Sequence, residues 1–425
     1  TIMNELLLSF IWKQRLISPN TFTTDKSKVY IVYPGLENSN QGPDFLNARV
    51  YIDNNLWYGN VEIHVKSSDW FLHCHQLDIN FQNVICHVVW ICDTDVYTSN
   101  GEKIPTIELS TQILPELINN YQFLMDSRNP IPCAKLISDV HSFIIYDMLE
   151  SCFVEMLNNK IASLHLNLQQ LNNNIDEFSY RTIARAFGFK VNNDPFEETA
   201  KALPFSLIRR YINDLELIEA LLFGQANLLH DHFSDAYPKN LHINYSFYKK
   251  KHSLKPQISS NWRYLRLHPG NFPCIRIAQF ASFLYNNFTG IDIFLSMRKI
   301  EQIYDVIIKP INEYWDYHFK FDIQSTYKRK IMGKNSADII IINAIVPLMY
   351  LYGKNRNLSS LSNLAIDIME QISAEDNKII RLWRSLNVKP LNAVHSQALI
   401  YLKNNYCDKY NCLNCKIGSK IIRSN

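Results

Sequence analysis

A chain of 425 residues is longer than one ordinary core can use, which predicts two or three domains. With 47% hydrophobic and 20% charged residues it can bury a substantial core, and its composition excludes a disordered chain. A formal net charge of +3 excludes a global field driving it onto nucleic acid or an anionic membrane, so any such binding must come from local patches.

In chain order, Leu6, Leu7, Phe10 and Ile11 fall at helical spacing and predict an opening helix over 5–15. Alternation with period two then predicts strands over 28–33, 48–52, 56–65, 84–91 and 104–109. Asp53-Asn54-Asn55 is a hairpin turn, because Asn and Asp tolerate positive φ. Ser68 or Asp69 caps a second helix expected from Trp70 to about Asn80. From residue 110 onward the apolar spacing is helical, over 143–166, 205–229, 273–285, 297–308, 337–351 and 361–372. The expectation is an α/β domain at 1–112 followed by a mostly α-helical region at 113–425 with a Cys-containing tail.

Glycine is scarce, 11 in 425 residues, and no glycine-rich phosphate loop, Rossmann fingerprint, HExxH or GxSxG is present. The longest apolar run, 339–352, holds Asn343 and Pro347 and falls short of the roughly 20 residues of a membrane span. It predicts a kinked core helix and no membrane. Cys74, Cys86, Cys92, Cys133, Cys152 and Cys274 follow no disulfide framework, as expected of reduced thiols in a cytoplasmic protein. Cys407, Cys412 and Cys415 differ: C-x4-C-x2-C near the end of the chain can share zinc or an iron–sulfur cluster, with His395 or a distant Cys as fourth ligand.

The chemistry concentrates between Asp44 and His87. In Val61-Glu62-Ile63-His64-Val65-Lys66, side chains two apart share a strand face, so Glu62, His64 and Lys66 project together. That face is either a solvated strand surface or a site. If the hairpin forms, Asp44 approaches Glu62, and two carboxylates there bind Mg²⁺ or Mn²⁺ through oxygen while His64 or Lys66 assists an attacking water. Asp69, His73, His75, Asp78 and His87 follow closely. On a helix His73 and His75 would diverge by about 200°, although a loop would let them meet, and His87 in an apolar strand reads as a supporting residue.

Helix–strand–strand–strand–helix–strand with Gly42-Pro43-Asp44 and Glu62-Ile63-His64 resembles the PD-(D/E)xK phosphodiesterase superfamily over roughly residues 3 to 92. The resemblance implies a restriction-endonuclease-like αβββαβ domain, with Asp44 and Glu62 as metal ligands and Glu5 on the first helix. The superfamily's lysine position is occupied by His64, and Lys66 lies two residues further on the same face. The whole chain is also similar to an uncharacterised bacterial family of unknown function. That similarity rests on Met3-Asn4-Glu5, Gly42-Pro43-Asp44-Phe45, the stretch from Gly59 to Trp70, Asn271-Phe272-Pro273 and the tail from Asn405 to Gly418.

Arg263, Arg266 and Arg276 are expected substrate contacts on DNA or RNA. Three functions follow: a metal-dependent phosphodiesterase on nucleic acid, a non-catalytic nucleic-acid- or protein-binding scaffold, or a zinc hydrolase using the histidines.

Overall fold

A computed structural model describes residues 3–230, 232–256 and 262–424. The chain forms two compact units. The first contains the chain up to Glu150, Ser385–Asn387 and the tail from Ile400 onward; the second contains Ser151–Arg384 and Val388–Leu399. The division therefore falls 38 residues later than the change in sequence character at 112, and the cysteine tail joins the N-terminal unit.

Helix α1 (Glu5–Lys13) opens the first unit, capped by Asn4, whose side chain accepts the Leu7 N–H at 2.9 Å. Its Leu7, Leu8, Phe10, Ile11 and Trp12 are buried, and Trp12 Nε1 donates to the Pro34 carbonyl at 2.9 Å. The strands are β1 (Thr21–Phe22), β2 (Lys28–Tyr33), β3 (Leu36–Glu37), β4 (Phe45–Ile52), β5 (Asn55–Lys66), β6 (Val84–Ile91) and β7 (Thr106–Glu108). They form one mixed sheet in the order β1-β2-β4-β5-β6-β7, with β3 beside β4. β4 and β5 are the expected hairpin, turned at Asp53, whose φ is +54°. β5 and β6 run parallel, with Glu62 opposite His87, and β6 and β7 are parallel too. A parallel pair needs a crossover, and residues 67–83 supply it.

That crossover differs from the single helix expected over 70–80. It holds one short helix, α2 (Asp69–Leu72), then two 3₁₀ turns, His75–Leu77 and Ile79–Phe81. The break is Cys74, which adopts φ +61°, ψ +28°, outside any right-handed helix. Ser67 and Ser68 anchor the start of the crossover by hydrogen bonds to Asp93, with contacts between 2.8 and 3.0 Å. Trp70 plugs it into a buried cluster with Phe81, Val84, Val96 and Ile104. This covering segment is why the alternation in β5 misleads: Glu62 and His64 are 5% and 1% exposed, so their face is not the solvated one that alternation suggests. After β7 comes α3 (Pro115–Met125).

The second unit is almost entirely helical among its described residues, apart from a two-stranded hairpin at His318–Lys320 and Ile323–Gln324. Two expected helices are interrupted. The 205–229 stretch is Phe205–Arg210 plus Leu215–Gln225, separated by a turn through Tyr211. The 337–351 stretch passes from Lys334–Ile340 through a π-turn, Ile341–Ile345, into Val346–Asn355, with Pro347 in the first turn of that last segment. Lys334–Asn355 is long and apolar enough to cross a membrane, and 67% of its most apolar window is buried inside the protein.

Candidate metal centre

Parallel register sets the first pair of the site. Glu62 and His87 are opposed across β5 and β6, and His64 follows Glu62 on the same face. His64 Nδ1 lies 2.8 Å from His87 Nε2, so one ring donates to the other. On its other side His64 Nε2 is 3.1 Å from His73 Nδ1.

The crossover supplies the remaining imidazoles. With Cys74 left-handed, the rings of His73 and His75 come to 5.4 Å between centroids rather than diverging as they would on a helix. His75 stacks on Phe81 at 3.9 Å and meets Trp70 edge-on at 5.4 Å, which fixes its plane. One ligand nitrogen from each of His64, His73 and His75 lies within 4.8 Å of the other two. Glu62 borders this group: its Oε1 is 3.3 Å from His75 Nε2 and 3.6 Å from His64 Nε2. His75 Nε2 is buried and, despite that proximity, has no hydrogen bond of acceptable geometry; His87 Nδ1 and Trp70 Nε1 are likewise buried without partners. Buried nitrogens without partners are costly unless something else satisfies them.

Asp44 is tied to Glu62 through backbone. Its N–H donates to Glu62 Oε2 at 3.0 Å, and its Oδ2 accepts the Ile63 N–H at 3.0 Å. Burial, and then the negative charge of Glu62, raise the Asp44 carboxyl to about 7. Glu5 on α1 is also raised by burial; its charge feels His73, Asp69, Glu62 and His75, which puts it in the same neighbourhood. Burial and the surrounding imidazoles push His64 down to about 2, and burial followed by His75 pushes His87 to about 3, so both rings are neutral at physiological pH. Neutral imidazole is the form that binds metal.

Asp44, Glu62 and His64 thus lie together with His73 and His75, while Glu5 is exposed on α1 within electrostatic reach of them. Lys66 does not share their burial: it is exposed at the end of β5, where its backbone N–H donates to Asp69 at 3.0 Å.

The three arginines belong to the second unit. Arg263 and Arg266 are exposed, whereas Arg276, expected at a substrate surface, is 3% exposed. Its guanidinium donates to Asn271, Gln279 and Ser336 and covers the Phe189 ring at 4.1 Å, while its Nε has no partner. Desolvation lowers it to about 9. It lines a cavity of about 1010 Å³ whose walls also carry Lys160, Arg181, Arg185, Lys190 and Lys201 against Glu197 and Glu375.

No curated protein and no solved structure matches the chain. A family model does, over residues 5–378, ending before the tail cysteines. By that match the chain belongs to the family described as "Protein of unknown function (DUF2851)".

Proposed function

We propose that this protein is a metal-dependent hydrolase of phosphodiester bonds in nucleic acid, its ion held by His64, His73 and His75 with Glu62 beside them. The observation that carries the reading is the convergence of three imidazole nitrogens within 4.8 Å, bordered by a buried carboxylate. A nitrogen-rich ligand set favours a borderline ion such as Zn²⁺ or Mn²⁺ over Mg²⁺, which prefers oxygen. Such an ion would give the orphaned His75 Nε2 a partner. For His64 to offer its Nε2, the ring must carry its proton on Nδ1 and donate it to His87 Nε2, the contact made at 2.8 Å.

When bound, the ion supplies Lewis-acid chemistry and an activated water. Asp44, held near pH 7, is matched to proton transfer at neutral pH. The phosphodiester substrate rests on the resemblance described above: Glu5 on α1, Asp44 before β4 and Glu62 on β5 stand where nucleases of αβββαβ order carry their acids, with His64 in the lysine position.

The test is metal analysis of the full chain, then cleavage of single- and double-stranded DNA and RNA with Zn²⁺, Mn²⁺ and Mg²⁺. The expected result is about one metal ion per first unit, bound by the wild type and lost in His75→Ala, with cleavage falling roughly 10²- to 10⁴-fold in Asp44→Asn. Mg²⁺-dependent cleavage that survives in His75→Ala would move the metal to the carboxylates Asp44 and Glu62. Metal bound without cleavage would leave a binding scaffold.

A further inference from the structure

The end of the chain returns to the N-terminal unit and is fastened there. Tyr410 donates its hydroxyl to the Ser127 carbonyl at 2.7 Å, and Asn120 Nδ2 donates to the carbonyls of Ile421 and Ser424 at 3.2 and 2.8 Å. The Lys416 N–H reaches Met148 Sδ at 3.3 Å, and its amine pairs with Asp147 at 2.7 Å. This docking brings Cys407, Cys412 and Cys415 to Cys133, which follows α3 and precedes them by the whole second unit.

All four cysteines are buried, between 7% and 8% exposed, and none is in a disulfide. Their sulfurs lie within electrostatic reach of one another: Cys412 and Cys415 of Cys133, and Cys133, Cys415 and Cys412 of Cys407. The four sulfurs therefore share one neighbourhood. Hydrophobic packing explains buried thiols singly, but the local backbone here also serves sulfur. Cys415 caps the helix Lys416–Ile422, with the N–H groups of Ile417 and Gly418 turned toward its sulfur. The turn that aims them needs glycine, since a Cβ on Gly418 would lie 2.3 Å from the Cys412 carbonyl oxygen.

We propose that Cys133, Cys407, Cys412 and Cys415 are the four thiolate ligands of an iron–sulfur cluster that clasps the end of the chain to the N-terminal unit. The spread of the sulfurs favours a cluster over a single ion. Tetrahedral zinc with bonds of about 2.3 Å draws its sulfurs to about 3.8 Å from one another. Among the described residues, a group of three ligand atoms within 4.8 Å forms at His64, His73 and His75 and not at these cysteines. A wider cage suits the several metal atoms of a cluster held by four thiolates. Closing so long a loop with metal–thiolate bonds removes much of the freedom of the unfolded chain. This inference is independent of the histidine centre.

The experiment is anaerobic purification of the full chain, with iron, acid-labile sulfide and zinc quantified per chain and visible absorption recorded. Cys133→Ser and Cys412→Ser are compared with Cys92→Ser, which alters a half-buried cysteine outside the cluster. The expected result is iron and sulfide in near-equal amounts, with the broad visible absorption of thiolate-bound clusters. That signal should fall at least tenfold in Cys133→Ser and Cys412→Ser and be unchanged in Cys92→Ser. Circular dichroism of the same samples shows whether a variant lost the cluster while still folded. One zinc per chain without sulfide would overturn the cluster, full retention in Cys133→Ser would overturn the fourth ligand, and absence of all metal after anaerobic reconstitution would overturn the site.

Discussion

His73 and His75 are two positions apart, yet both rings lie within 5.3 Å of His64, because Cys74 between them turns left-handed. The histidine cluster is therefore made by a break in a helix rather than by the helix.

That geometry is testable at an exposed side chain. Cys74→Gly removes the penalty of φ +61° and is expected to stabilise the protein by up to about 1 kcal/mol while keeping metal affinity. Cys74→Val places a β-branched residue in the left-handed region, costing roughly 1–3 kcal/mol, and should weaken metal binding. Urea titration and calorimetry of both variants check this, and equal metal affinity in the two would show that the turn does not set the site.

In the proposed site His87 holds the His64 ring through the 2.8 Å contact and is not itself a ligand. His87→Ala is expected to lower metal affinity about 10- to 100-fold, the usual cost of losing an outer hydrogen-bond partner, while leaving one binding site per chain. Calorimetric titration reads both numbers at once.

His64 and His87 should contribute stability to the metal-free protein that grows as pH rises from about 4 to 6.5. His64 and His87 have folded pKa values well below the unfolded value of 6.5, so the unfolded chain binds their protons first and their contribution, full above 6.5, is lost as pH falls. Asp44 acts the opposite way: raised to about 7, it gives stability at low pH that is lost as pH rises toward 7. Glu219, raised to about 8 by burial, acts in the same sense as Asp44, so the histidine contribution is read by difference. Denaturant midpoints of the metal-free chain between pH 4 and 7 should rise more with pH in the wild type than in His64→Gln, and equal pH dependence in the two would overturn the prediction.

Gly59 guards the β5–β6 register on which Glu62 and His87 depend. A Cβ there would lie 2.4 Å from Ile85 Cγ2 and 2.5 Å from the Asn83 carbonyl oxygen. Gly59→Ala is expected to cost roughly 1–3 kcal/mol through overpacking, with a loss of metal affinity that a remote destabilising change of equal size does not produce. Paired melting and metal titration separate the two.

The sequence by itself determined the elements whose pattern is local: α1, five of the seven strands of the sheet, the turn at Asp53 and the mostly helical character after residue 110, because periodicity and turn chemistry act over a few neighbouring residues. It also singled out the stretch in which Asp44, Glu62 and His64 come together, since these follow from a single hairpin and its alternation. Tertiary structure alone decided the rest. Whether the Glu62–His64 face meets water or protein depends on the crossover laid over it, and His75 reaches Glu62 only because that crossover breaks at Cys74. Cys133 carries no spacing signal toward Cys407, and only a tail that belongs to the N-terminal unit can bring them together. Contacts between residues distant in sequence leave no period in the chain, because they are selected by the packing of whole elements rather than by the conformations of adjacent residues.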